Sequence, residues 1–596
     1  MISLPTFSRH LLRFPLMPLP VSSRSIGHSD RLKKPFGVPL VMMSAMMTFL
    51  VPNIWAQTVS IWVTTSDQSK LLQKQPTETF GTSSNSTKIT LDENTKYQTI
   101  DGFGHCMTEG SAEVISGLSS RAQDSLLNAL FNMSTGIGIS VLRVALGACD
   151  LGNGVYSYDD VAGGDPTLAK FSLRGVDSTY LVPILKKVVA INPNIKILAC
   201  PWSPPAWMKT NDSFIGGSLA AANYAAYASY FVKYIQTMMA NGINIWAVTP
   251  QNEPENGGNN PSCTWTSAQE TNFINNNLGP AFAAAGISTK IIAYDHNCDD
   301  TNFPTFVCNN SSFVDGSAFH LYAGDISAMS TVYNATHKNV YFTEQCTCSD
   351  DFPGELSNHV RNVMIGSLTN WSKTVIEWNL ATDQNLGPHT NNGGCGVCRG
   401  GVTVNSATSF SFNTSYYIVA QFSKVIRPEA VRIATTATNN NLPNVAAVNP
   451  DGTRGLVVYN NTGSSTTFDV VRNSLSFPFT LANNAVASFS WAGPTATETR
   501  ITPVSLASTI VQIRAAPFAL STRITVGLCR AANAIVTICD SRGSVVASLI
   551  HGVLAQGNHT VTWNGTDCRG RPVPAGVYFV KVEAEALTIA KPILRE

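Results

Sequence analysis

Eight short apolar β-type runs, each ending in polar residues and most leading into a helical pattern, predict an α/β chain built on a (β/α)8 TIM barrel. Alternating runs after residue 430 predict an associated β-sandwich. A further block of such runs beyond a Pro/Thr-rich stretch predicts a C-terminal Ig-like all-β domain. The 596 residues leave room for two or three domains, and 44% hydrophobic content fills their cores.

Residues 1–56 read as a targeting segment. Arg24, Arg31, Lys33 and Lys34 precede an apolar run, Phe36 to Trp55, that ends at the small residue Ala56. A basic flank, an apolar core and a small exit residue describe a signal peptide cut near Ala56. The run is about long enough to span a bilayer, so a membrane anchor is the alternative. Pro39 and Pro52 favour cleavage. Residues 57–96 read as a lead-in and the first strands of the sandwich.

The barrel is placed at 97–410. Its runs are Thr99–Cys106, Ser140–Leu146, Lys196–Trp202, Ile245–Asn252, Lys290–His296, Phe313–His320, Val340–Glu344 and Thr374–Asn379. Helices are expected over Ser111–Phe131, Thr179–Ile191, Ala220–Ala240, Ser267–Ala285 and Glu355–Leu368, with weaker signals at 301–311 and 325–336. A doubly wound sheet is the alternative. Gly102-Phe103-Gly104, however, lacks the third glycine and the ribose-binding acid of a dinucleotide loop. The sandwich takes 411–492, with one helix at Tyr416–Val425 and strands from Val431 to Trp491. A linker at 493–503 leads to the Ig-like domain at 504–596.

Composition narrows the class. Only 13% of residues are charged, against the usual quarter, and the net charge is +1 with no long Lys/Arg run. Nothing here favours a nucleic-acid partner. Asn, Ser, Thr and Gly fill the surface, as in a secreted or extracellular protein. The thirteen cysteines allow disulfides such as Cys298–Cys308, Cys395–Cys398 or Cys529–Cys539. The gap in Cys395-Gly-Val-Cys398 suits a redox or zinc pair, but the sequence has no second such pair at zinc-site spacing. No metal and no cofactor are expected.

In this fold the working residues sit at the C-terminal ends of the strands. Those ends carry Arg143 and then Asp150, Trp202, Asn252-Glu253, His320 and Tyr322, Glu344, and Trp378-Asn379. Glu253 and Glu344 thus share one mouth. Such a pair suits cleavage of a glycosidic bond: one carboxyl protonates the leaving oxygen and the other attacks the anomeric carbon. The acid should be raised by burial and by its partner's charge. Arg143 would keep the other ionised, Asn252 would bond a sugar hydroxyl, and the aromatics would stack on sugar faces. Each residue alone has an ordinary structural reading; the convergence carries the inference. A non-catalytic carbohydrate-binding surface protein is the alternative of another class.

The chain resembles glycoside hydrolase family 30, in its glucosylceramidase-like branch. The resemblance rests on Asp101-Gly102-Phe103-Gly104, Leu142-Arg143-Val144 through Asp150, Pro201-Trp202-Ser203-Pro204-Pro205-Ala206-Trp207, Gln251-Asn252-Glu253-Pro254, Tyr341-Phe342-Thr343-Glu344 and Trp378-Asn379-Leu380. It implies a retaining mechanism with Glu253 as acid/base and Glu344 as nucleophile. Arg143, Asp150, Trp202, Asn252, Tyr322 and Trp378 would line the sugar site, joined by His320 and Asn379 from their strand ends, and would bind a β-glucoside, a glycolipid or a glucan, the last by an endo-β-1,6-glucanase of the same family. His105-Cys106-Met107 and Asp150-Leu151-Gly152 depart from the family pattern near the sugar site. The C-terminal segment Val561-Thr562-Trp563-Asn564-Gly565 through Tyr578 resembles the Ig-like domain of FlgD-type proteins. That implies sorting or attachment at the cell surface, with Trp563 and Tyr578 in a core.

Overall fold

The computed structural model describes residues 57–493, 510–514, 518–528, 531–540, 543–584 and 587–595. The expected signal segment and nearly all of the expected linker lie outside the described residues, as does Cys529. Among the described residues no helix is long and apolar enough to cross a membrane.

Eight strands close into a barrel: β1 (Gly102–Cys106), β2 (Val141–Ala145), β3 (Lys196–Cys200), β4 (Ala247–Val248), β5 (Lys290–Cys298), β6 (Val314–Gly324), β7 (Asn339–Glu344) and β8 (Ser372–Glu377). Neighbours are parallel throughout, and β8 returns to β1 through Thr374–Gly102 and Glu377–His105. Strands buried on both faces need near-continuous apolar sequence, which Val141-Leu142-Arg143-Val144-Ala145 supplies with a single polar member. Helices cover the outside. The longest, Tyr224–Ala240, turns Tyr227, Tyr230, Phe231 and Tyr234 inward. The two weakly signalled connections are also helical, Asn302–Asn310 and Ala328–Thr336.

Three differences from the sequence reading have local causes. The first run divides at Gly102. Thr99 and Ile100 end a sandwich strand, Lys88–Ile100, that pairs with Ala430–Ala437, and the barrel begins only after the chain turns. Gly102 has φ +145°, and a side chain there would meet Ser140 Oγ at 2.1 Å. The first helix is two, Glu109–Ser116 and Ser120–Phe131. The Ser119 hydroxyl caps the second by accepting from the Ala122 N–H. After β8 the chain makes a three-stranded sheet, Ala381–Asp383, Val402–Ser406 and Ser409–Phe412, that short polar runs did not announce. The helix Thr414–Ser423 packs on both the barrel and the side sheet: Phe422 meets Phe103 of β1 with ring centroids 5.9 Å apart, and Gln421 Nε2 donates to the Thr64 hydroxyl at 2.8 Å.

The side sheet is built from both flanks of the barrel. Thr58–Thr64 pairs antiparallel with Val486–Trp491, and Lys88–Ile100 lies between Ala430–Ala437 and Thr466–Arg472. Its core gathers Val59, Ile61, Phe468, Phe477, Phe489 and Trp491. The C-terminal module has a three-stranded and a four-stranded sheet. Trp563 packs there between Phe518 and Tyr578, each with ring centroids 5.2 Å away, and its indole N–H donates to the Thr566 carbonyl.

Candidate active site

The barrel mouth is organised by one cation. Arg143, on β2, is fully buried. Its Nη1 donates to Glu344 Oε2 at 2.6 Å, and its Nη2 donates to Asn252 Oδ1 at 2.7 Å and Asp295 Oδ2 at 2.9 Å. A buried guanidinium costs several kcal/mol of desolvation unless its donors are matched; here three acceptors from three strand ends serve its two Nη groups, while its Nε–H is buried without a partner. Its planar head lies 4.7 Å from the ring centre of Trp202, and Trp202 and Trp378 sit 5.4 Å apart. Both indoles are almost wholly buried.

Glu344 closes β7, and its Oε1 accepts from the Tyr322 hydroxyl at 3.0 Å. Glu253 follows the short strand β4. Its φ is +47°, a conformation unfavourable for a side-chain-bearing residue, and its N–H donates to the Asp295 carbonyl at 3.0 Å. Glu253 Oε2 accepts from Asn256 Nδ2 at 2.8 Å and from Asn259 Nδ2 at 3.2 Å. His320, on β6, stands between the acids: Nδ1 lies 3.3 Å from Glu253 Oε1 and 3.9 Å from Glu344 Oε1. Within this trio, a carboxylate oxygen of Glu253 and one of Glu344 lie within 4.8 Å of each other.

Asp295 is the residue that the sequence reading missed. It is fully buried and gathers Arg143, His320 Nε2 (3.1 Å), the Thr343 hydroxyl (2.6 Å), the Thr249 hydroxyl (2.8 Å) and the Cys200 thiol (3.0 Å). Its only sequence signal was a carboxylate near the end of the Lys290–His296 run. Asp150 is buried with Oδ1 unpartnered, and its backbone carbonyl accepts from the Thr390 N–H at 2.9 Å. Asn379 and Gln345 likewise keep buried side-chain oxygens without partners, and such acceptors suit sugar hydroxyls. The structure thus brings together nine of the ten residues expected at the mouth, Tyr322 being partly exposed, whereas the Asn379 amide turns to the Ser111 hydroxyl and the Ala381 carbonyl.

The expected protonation pattern is reversed in the free site. Burial works to raise Glu253, but the hydrogen bond and charge of His320, helped by Asn256, outweigh it and hold the carboxyl below its usual value. Burial pushes Glu344 up, with His320 and Arg143 offsetting part of the rise. Burial disfavours the His320 cation, yet Glu344, Asp295 and Glu253 together push its pKa up to about 9. The proton therefore rests on His320, next to the acid. Burial and the charges of Glu344 and Glu253 push Asp150 up to about 8.

Cys395 and Cys398 lie at disulfide distance, as do Cys346 and Cys348. Cys298 and Cys308, an expected pair, are separate buried thiols, one on β5 and the other on the helix that follows it.

Comparisons with known proteins agree with this geometry. The glycosyl hydrolase family 30 TIM-barrel domain matches residues 100–426, and the family's β-sandwich domain matches 429–489. The FlgD Ig-like domain matches 515–587. An endo-1,6-beta-D-glucanase of Aspergillus fumigatus is 35% identical over 418 residues, covering 65% of this chain and 84% of that protein. The lysosomal acid glucosylceramidase of Mus musculus is 28% identical over 421 residues, covering 65% and 80%. A solved endo-beta1,6-glucanase superposes with a TM-score of 0.68 at 35% identity, covering 73% of this chain and 99% of that one. With the barrel, the sandwich and the paired carboxylates in place, the chain belongs to glycosyl hydrolase family 30 and is a retaining β-glycosidase.

Proposed function

We propose that the enzyme cleaves β-1,6-glucan, with Glu344 as nucleophile and Glu253 as acid/base. The observation that carries the catalytic part is the approach of the two carboxylates to within 4.8 Å, near the roughly 5 Å of a double-displacement site. The substrate reading is supported by the similarity to endo-1,6-glucanases, which exceeds that to the glucosylceramidase.

In this reading the sugar whose anomeric carbon is attacked sits against Trp202 and Trp378, with hydroxyls toward Asp150 and Asn379. Arg143 already takes the Asn252 carbonyl, so that side chain offers its amide to the sugar. His320 and Glu253 hold one proton between them. When the glycosidic oxygen reaches Glu253, the proton passes through Glu253 to the leaving group as Glu344 attacks the anomeric carbon. Glu253 then takes a proton from the water that releases the sugar.

Product analysis on a β-1,6-glucan tests the substrate: a ladder of oligosaccharides is expected. Release of glucose alone, or faster turnover of glucosylceramide, would overturn the endo reading. Glu344→Gln should abolish release from both glucan and nitrophenyl β-glucoside. Glu253→Gln should lose about 10²–10⁴-fold on glucan and far less on the activated glucoside, whose leaving group needs no proton. Equal activity of wild type and Glu344→Gln would remove that residue from the chemistry. We infer further that the enzyme is exported and held at the cell surface by its Ig-like module. Cell fractionation of full-length and module-deleted chains checks this.

A further inference from the structure

Four cysteines from two remote segments meet beside the barrel mouth. Cys346 and Cys348 leave the end of β7, and Cys395 and Cys398 lie in the excursion after β8. All four sulfurs lie within 4.8 Å of one another. Backbone pairing brings them there. The Arg399 N–H donates to the Thr347 carbonyl at 3.0 Å, and the Thr347 hydroxyl donates to the Arg399 carbonyl at 3.1 Å, so the two segments run antiparallel with their cysteines facing. Cys346 and Cys398 are buried, and Cys348 and Cys395 are partly so.

Sequence spacing alone discouraged a metal because Cys395 and Cys398 had no companion pair. The fold supplies one. A disulfide needs only two sulfurs, and each pair here is local in sequence, so disulfide formation does not require the pairs to converge. A single tetrahedral ion does. With metal–sulfur bonds of about 2.3 Å its sulfurs stand about 3.8 Å apart, and the four sulfurs here all lie within 4.8 Å of one another. A second observation agrees. The Nε–H of Arg399, which follows Cys398, is buried without a hydrogen-bond partner. The Arg399 Nη2 already pairs with the Asp350 carboxylate, which leaves this Nε–H as the donor that a net negative centre of four thiolates and one divalent ion would attract.

We propose that the reduced cluster Cys346, Cys348, Cys395 and Cys398 is a structural zinc site. The sulfurs are in bonding contact within each pair, so the oxidised form is two disulfides, the state that follows export into an oxidising compartment, and the zinc form belongs to the chain before that oxidation. Reduction of both by a dithiol takes four electrons and four protons and gives four thiols. Binding of Zn2+ then releases four protons and forms four zinc–sulfur bonds. The centre would fix the exit of the strand that ends in Glu344. It would also fix the loop whose Thr390 N–H donates to the Asp150 carbonyl at 2.9 Å.

The test uses the full chain, reduced with a dithiol under anaerobic conditions, desalted, and given one equivalent of zinc or cobalt chloride. The exposed Cys568 is replaced by serine in every protein, so that it cannot bind metal. One metal per chain is expected, retained on gel filtration. Cobalt should give the intense visible bands of a tetrahedral tetrathiolate, and zinc absorption fine structure should show four sulfurs at about 2.3 Å. Cys395→Ser/Cys398→Ser should take up no metal, and its circular dichroism reports whether it is folded. Failure of the reduced parent chain to bind one equivalent, or equal binding by the folded double variant, overturns the proposal. A cobalt spectrum without thiolate bands overturns it as well.

Discussion

Asp295 shows how a residue that never touches substrate can set the chemistry of those that do. Its carboxylate faces Arg143 and His320 at once, and the cations outweigh burial and hold it far below the usual range. Replacing it by Asn leaves the buried Arg143 short of an anionic partner, which should cost about 3–5 kcal/mol in thermal or chemical unfolding. The pH dependence has a definite sign. His320 is raised from 6.5 to about 9, so its stabilising contribution is complete below 6.5 and is lost as pH rises through about 9. Wild-type stability should therefore decline across that window, and Asp295→Asn should show a smaller decline. The same proton serves the acid, so kcat/KM should fall as pH rises through about 9. In Asp295→Asn that alkaline limb should move to lower pH. An unmoved limb would separate His320 from the catalytic proton. Arg143, Glu253 and Glu344 were legible from their types and strand-end positions. Asp295 was not, because its significance lies in five partners drawn from five other strands or strand ends.

At the scale of elements, Gly102-Phe103-Gly104 shows how one motif serves a role other than the one its glycines first bring to mind. Gly104 presses its backbone against β2: an added Cβ would stand 1.8 Å from the Val141 carbonyl oxygen. The glycine is there for strand-to-strand approach, not for a phosphate. Gly104→Ala should force β1 and β2 apart and cost about 3 kcal/mol or more, seen as a lowered melting temperature with reduced soluble yield. An unchanged melting temperature would mean that the strands can yield at little cost. The strand β4 illustrates the opposite case. An apolar run announced eight residues, yet only Ala247 and Val248 keep the ladder. The following residues leave it so that Glu253 can turn its carboxyl toward His320. Periodicity identifies a strand, but it does not say where the strand surrenders its hydrogen bonds to the site.

Across the whole molecule, the side sheet makes the two ends of the catalytic region depend on each other. Val59 to Thr64 are in register with Trp491 to Val486 across more than four hundred residues of chain. Deleting Thr58–Thr64 removes Val59 and Ile61, both fully buried, together with Val63 from the core of Phe477, Phe489 and Trp491 and leaves Val486–Trp491 without one of its neighbours. At about 1.5–3 kcal/mol per fully buried aliphatic side chain, the two losses alone approach the stability of many domains. The truncated chain should unfold at lower denaturant concentration and accumulate as aggregate, measured by equilibrium unfolding and by the soluble fraction. Full stability of the truncated chain would show that the strand is an accessory.

The sequence by itself determined the architecture, since a period of two or of 3.6 and the spacing of breakers are local properties of the chain. It also determined the pair of acids, because strand ends of a parallel barrel converge whatever the loops do. Only the tertiary structure decided that Asp295 underlies both acids and that the resting proton sits on His320. It alone placed Cys346 and Cys348 opposite Cys395 and Cys398. Each of these depends on distances between residues tens to hundreds of positions apart, and electrostatic and metal-binding energies follow distance in space rather than separation along the chain.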